Sequence, residues 1–151
     1  QIDLQKRLIR AIGDPIRRFK EDKLRLLRAV RFAAKFDFEI EPATQSAIRL
    51  MAEQITIVSP ERIAAEMRKM LCLPYRGQAL AWLQELMLLP YIFPEWFPLL
   101  TAESAFQQAL SRLADLQQVT FESAVAVLLI DNWNTASDSP ESLSRVASLK
   151  Q

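Results

Sequence analysis

Residues 17–32 are Arg17-Arg18-Phe19-Lys20-Glu21-Asp22-Lys23-Leu24-Arg25-Leu26-Leu27-Arg28-Ala29-Val30-Arg31-Phe32, a basic run with a strong helical pattern. Phe19, Leu24, Leu27, Val30, Ala34 and Phe36 recur at helical intervals, so the spacing predicts one long helix from Pro15 to about Phe36. Asp22, Arg25, Arg28 and Arg31 stand three apart. At about 100° per residue, a step of three drifts by roughly −60°, so such a row climbs one helix face with neighbours about 5–6 Å apart. An acid and a base at that interval most often form a solvated surface pair worth a few tenths of a kcal/mol. The same pair can also do something a plain basic patch cannot. A carboxylate accepts from an exocyclic amino group while a guanidinium donates to a ring nitrogen or carbonyl, which suits the edges of cytosine and adenine.

The charge around the row is lopsided. Residues 1–35 hold eleven Lys/Arg against four acids, yet the net charge of the 151-residue chain is only +1. A basic N-terminal third on a faintly acidic remainder points to an anionic ligand bound at one end. Upstream, Ile2, Leu4, Leu8, Ile9 and Ile12 also fit a helix, ended by Gly13-Asp14-Pro15. Downstream, Asp37-Phe38-Glu39-Ile40-Glu41 alternates polar and apolar residues but has no second strand to pair with, so it reads as an extended connector.

Further helices follow at Pro42–Ile55, after Ser59-Pro60-Glu61 (Ser as N-cap, Pro at N1), over 75–89, over 102–118 and over 120–133. Tyr91–Pro98 reads as a packed aromatic elbow, and Ser139-Pro140-Glu141 starts a last short helix. Two glycines, Gly13 and Gly77, are too few for the tight turns of an α/β fold. The expectation is all-α with no sheet, in two helical subdomains (1–73 and 74–151), which the resemblance described below makes neck and body.

One cysteine, Cys72, excludes a disulfide framework and suggests a reduced, cytoplasmic setting. The absence of histidine removes the commonest general base. No apolar run reaches the roughly 18 residues of a membrane span, so no membrane partner is expected. The chain starts at Gln1 rather than Met, which reads as a piece of a longer protein. Trp82, Trp96, Trp133 and the Tyr91–Phe97 cluster read as core or elbow packing rather than RNA-stacking residues.

The wording Arg18-Phe19-x-Glu21-Asp22-x-x-Arg25-x-x-Arg28-Ala29-x-Arg31-Phe32 resembles the nucleobase-recognition motif of the bacterial class II tRNA nucleotidyltransferase/poly(A) polymerase family. The flanks agree: Asp3-Leu4 to Pro15 resembles the preceding hinge, and Val58-Ser59-x-Glu61-Arg62-Ile63-x-x-Glu66 the motif that follows in the neck. The resemblance covers residues 1–72. It implies that Asp22 and Arg25 read the Watson–Crick edge of CTP or ATP, and that Arg28 and Arg31 make the further nucleotide contacts. Glu21 would orient Arg25 or the helix start, and Glu61, Arg62 and Glu66 would tie the neck helices together. The resemblance also implies a parent enzyme that adds CMP and AMP to tRNA 3′ ends, with Mg²⁺ held by the paired carboxylates of an α/β head. This chain has no Asp-x-Asp and no Gly-Gly turn, so by itself it is expected to select nucleotides without catalysing transfer. Two other readings stay open: a poly(A) polymerase of the same family, and a non-enzymatic helical RNA- or protein-binding module.

Overall fold

Gly13-Asp14-Pro15 organises the N-terminal part of the fold. Gly13 sits at φ +78°, a conformation side chains rarely adopt, and turns the chain into helix α2 (Pro15–Glu21). The Asp14 carboxylate accepts from the Ile16 N–H at 3.0 Å, and Pro15 fills the first helical position, where its missing N–H costs nothing. The computed structural model describes residues 2–94 and 103–128. By contacts the chain divides into Gln1–Glu95 and Trp96–Gln151.

In the first unit, α2 stops at Asp22, so the continuous helix expected over Pro15–Phe36 is corrected to two. Asp22 takes an extended conformation (φ −150°, ψ 108°), and its carboxylate accepts from the Leu24 N–H at 3.1 Å. That local bond offers the backbone an alternative to helix, as aspartate commonly does. Helix α3 (Arg25–Phe36) then starts afresh and buries Leu26, Leu27, Val30, Ala33 and Ala34. It ends at Asp37, left-handed at φ 54°, where the Phe38 N–H reaches back to the Ala33 carbonyl at 2.9 Å.

The N-terminal segment departs from expectation in a second way. Helix α1 covers only Ile2–Gln5, because Arg7 turns left-handed at φ 51°. Strand β1 (Leu8–Ile9) follows and pairs in parallel with β2 (Glu39–Ile40). The Glu39 N–H donates to the Arg7 carbonyl at 3.0 Å and the Glu41 N–H to the Ile9 carbonyl at 2.9 Å. The connector therefore does have a partner, thirty-one residues upstream, and the expectation of no sheet is corrected by this two-residue pair. The class remains all-α.

Helix α4 (Pro42–Met51) is capped by Glu41, whose carboxylate accepts from the Thr44 N–H at 3.0 Å. The buried Thr44 hydroxyl donates to Glu41 at 2.7 Å and accepts from the Ala11 N–H at 3.2 Å, locking α4 to the segment after β1. A 3-10 helix (Ala52–Ile57) leads into α5 (Pro60–Leu71), then α6 (Arg76–Glu85) and α7 (Leu89–Ile92). The helix expected over 75–89 breaks at Met87, which is left-handed at φ 59°. Helices α5 and α6 pack on each other and on α3, with Met67, Met70, Leu80 and Leu83 in the core and Trp82 buried. The packing of α6 on α3 runs across the boundary expected at residues 73/74.

In the second unit, α8 (Glu103–Asp115) buries Phe106, Ala109 and Leu113. Helix α9 (residues 121–128) is opened by Thr120 and Ser123, whose hydroxyls each accept from the other's N–H at 3.1 and 3.0 Å. The expected helix start at Ser139, together with Trp96 and Trp133, lies outside the described residues.

Candidate nucleotide-reading site

Breaking the helix at Asp22 rearranges the row. Arg25, Arg28 and Arg31 rise along α3, whereas Asp22 stands before its first turn and is held from two sides. Its Oδ1 accepts from Leu24 and lies 3.4 Å from Arg62 Nη2 on α5, while its Oδ2 lies 3.7 Å from Arg28 Nη1. The first of these contacts is a local side chain–backbone bond; Arg62 donates a long hydrogen bond, and the Arg28 contact is electrostatic.

Arg25 is oriented by the end of α2. Its Nη1 donates to Glu21 Oε2 at 2.7 Å and to the Arg18 carbonyl at 3.0 Å. Arg18 shares the same Glu21 oxygen at 3.0 Å. The bond from Arg25, with Arg18 assisting, holds the Glu21 carboxyl below its ordinary range. Glu21 thus contacts Arg25 as anticipated, clamping its guanidinium while remaining solvent-exposed itself.

The upper half of the row is tied to α5. Glu66 is 2 % exposed, an unusual place for a carboxylate, and it is surrounded by cations. Arg31 Nε lies 2.9 Å from its Oε2, Arg28 Nε 3.7 Å from its Oε1 and Lys69 Nζ 3.2 Å from the same Oε1. The Arg31–Glu66 contact is short but lies outside hydrogen-bond geometry, so charge rather than a directed bond holds it. Arg62 and Glu66 therefore link α5 to Asp22 and α3. Glu61 forms no ion pair with them; its own backbone N–H and the nearby Ser59 hydroxyl hold its carboxyl below the ordinary range.

Beside α3 opens a cleft of about 340 Å³, within the size range of small-molecule sites. Arg18, Arg25 and Arg28 supply its positive wall, Phe19, Ala29 and Phe32 its apolar surface, and residues 9–12 with Thr44 the facing side. Of the four residues in the row, Arg25 and Arg28 line this cleft. Asp22 is not part of the lining but touches the cleft residue Arg28, and Arg31 turns towards Glu66. Sequence reasoning missed the facing side, because Thr44 and the 9–12 segment approach only through the β1–β2 pair. It named Arg18 and Phe32 as motif letters without assigning them to a surface. Among the described residues no group of three or more His, Cys, Asp or Glu is placed to hold a metal ion. Residues Asp37, Glu39 and Glu41 do not converge either, since Asp37 is engaged by Arg7 at 2.7 Å and Glu41 by Thr44. No helix among the described residues is long and apolar enough to cross a membrane.

Comparison with known proteins bears on this geometry. Residues 37–100 match the family model described as the probable RNA and SrmB-binding site of polymerase A. The CCA-adding enzyme of Lacticaseibacillus paracasei is 38% identical over 127 residues, which is 84% of this chain and 31% of that protein. The CCA-adding enzyme of Limosilactobacillus reuteri is 51% identical over 69 residues, 46% of this chain and 17% of that one. Among solved structures, the Bacillus stearothermophilus CCA-adding enzyme in complex with CTP superposes with a TM-score of 0.60 at 27% identity. That match covers 92% of this chain and 40% of the other. The chain thus spans about a third of the length of the first of these relatives.

Proposed function

We propose that this chain, which is similar to part of the CCA-adding enzymes, is the nucleotide-selecting, RNA-binding helical portion of an enzyme that adds CMP and AMP to tRNA 3′ ends. The observation that carries this reading is the geometry of the α2–α3 break: Glu21 fixes Arg25 on the cleft wall, and Asp22, three residues earlier and next to the cleft-lining Arg28, is held in place by Leu24 and Arg62. A carboxylate and a guanidinium so held offer an acceptor and a donor at fixed spacing, the pattern that cytosine and adenine share. In this reading Asp22 and Arg25 meet the base. Arg28, on the same wall, meets sugar or phosphate, and Arg31 acts through Glu66 by holding α3 against α5. Residues 1–73 serve as neck and 74–151 as body, in a cytoplasmic enzyme. The divalent metal of nucleotidyl transfer, Mg²⁺ in this proposal, is held by residues other than those described.

Polyadenylation would use the same base-reading pair, but the relative matched along 84% of this chain is a CCA-adding enzyme, as is the one matched along 46%, which favours CTP-then-ATP use. Product analysis on tRNA with CTP, ATP or both separates the two. The test of the reading itself is Asp22→Ala in the full-length enzyme. Discrimination of CTP and ATP against GTP and UTP should fall by roughly 5- to 150-fold, the worth of one good base contact, with tRNA binding retained. A phosphate-gripping module would bind RNA equally well or better without that acid, and unchanged base selection would sink the proposal.

A further inference from the structure

Helix α3 carries a second row, on the side that leads out of the cleft. The Phe32 and Phe36 rings stack with centroids 6.1 Å apart and planes 10° from parallel, and Phe38 joins Phe36 at 5.9 Å. Rings of this size are usually buried, yet Phe32 is 37% and Phe36 48% exposed. Each ring also has a cation near it. Arg31 lies 4.5 Å from the Phe32 centroid, Lys35 Nζ 5.4 Å from Phe36 and Arg7 5.9 Å from Phe38. The charges of Arg31 and Arg7 are taken up by Glu66 and Asp37. Lys35 differs: it is exposed, and among the described residues no carboxylate lies within ion-pair distance of it.

Adjacent positions of α3 therefore present an open aromatic face and an uncompensated ammonium. Phe32 belongs both to this row and to the cleft lining, so the two surfaces are continuous. We propose that Phe36, with Phe32 and Lys35, is a stacking platform for unpaired bases at the 3′ end of an RNA, with Lys35 taking an adjoining phosphate. A base and a phosphate recur together along a single strand, and a ring beside a free cation matches that repeat. The surrounding charge favours the same partner. Asp37, the acid next to Phe36, is already bonded to Arg7 and Gln78. An apolar protein partner would leave the Lys35 charge without a counterpart.

The inference rests on the function proposed above and assigns a part of this chain to the RNA rather than to the incoming nucleotide. The test compares two fluorescein-labelled RNA hairpins, one with a short unpaired 3′ extension and one blunt, bound to the chain and followed by anisotropy. Phe36→Ala should weaken the extended hairpin by roughly 5- to 150-fold, the worth of one base–aromatic stack, and leave the blunt one unchanged. Phe36→Trp should retain binding, and Lys35→Ala should lower the salt dependence by about one phosphate contact. Phe36→Leu keeps apolar bulk without a π face and is the deciding variant. If it binds the extended hairpin like the parent chain, or if Phe36→Ala affects both hairpins equally, the platform is refuted. Should that happen while Asp22→Ala still lowers base selection, only this inference falls; if Asp22→Ala also has no effect, the functional reading falls with it.

Discussion

Glu66→Gln removes one charge and almost no volume, and the structure says what that charge is worth. The carboxylate is nearly inaccessible and faces Arg31 at 2.9 Å, Lys69 at 3.2 Å and Arg28 at 3.7 Å. Removing one member of a buried ion pair costs about 3–5 kcal/mol, because the remaining charge is left without compensation. Lys69 and Arg28 are 53% and 42% exposed and can turn to water, so their share is small. Arg31 is 18% exposed and cannot do so as easily, which places the expected loss at about 2–3 kcal/mol. The control is Asp37→Asn. Its pair with Arg7 is shorter, at 2.7 Å, but the two side chains are 61% and 71% exposed, and asparagine tolerates the left-handed backbone at this position. That change should cost less than about 1 kcal/mol. Urea unfolding of the three proteins, followed by far-UV circular dichroism, makes the comparison. Equal losses in the two variants, or a larger one for Asp37→Asn, would refute the argument that burial rather than contact distance sets the value of these pairs.

Other outcomes follow from single contacts. Thr44→Val leaves the Ala11 N–H without its acceptor and should cost about 1–3 kcal/mol in the same assay, whereas Thr44→Ser should cost less. Gly13→Ala meets no atom within 4 Å, so its cost is conformational alone, about 1–2 kcal/mol from the +78° φ; Gly13→Asn should recover part of it. Glu21 titrates below its ordinary 4.5 because Arg25 binds the charged form. Its contribution is therefore complete above that value and is lost as pH falls through the lower folded pKa. An NMR titration of the Glu21 carboxyl with a midpoint at or above 4.5 would contradict the clamp on Arg25.

The parts of this fold legible in the sequence are those written in local pattern. Phe19, Leu27 and Val30 report a buried helical face whatever lies opposite, and Ser59-Pro60 marks the start of α5 by backbone chemistry alone. The break at Asp22 was hidden because the apolar spacing continues across it; the competing signal is a side-chain bond to Leu24, worth about as much as one helical bond. The β1–β2 pair was invisible for another reason. Two-residue strands have no periodicity, and helical spacing through Ile2, Leu8 and Ile12 described a segment that Arg7 interrupts with a left-handed turn. At the site, the motif named Arg25 and Arg28, which line the cleft, but it could not indicate that Arg31 faces a buried Glu66 thirty-five positions away.

That short strand pair has a topological consequence. By joining Leu8–Ile9 to Glu39–Ile40, it closes the chain into a loop that contains α2, the Asp22 break and all of α3. Closing a loop of this size costs chain entropy of about 3 kcal/mol by the (3/2)RT ln n rule, and few hydrogen bonds secure the fastening. Everything that faces the cleft from α2 and α3 is carried inside this lasso, while Thr44 lies just beyond its knot. The amides of Glu39 and Glu41 are therefore the natural gauges of the loop: their rate of hydrogen exchange measures how often the cleft's two sides come apart.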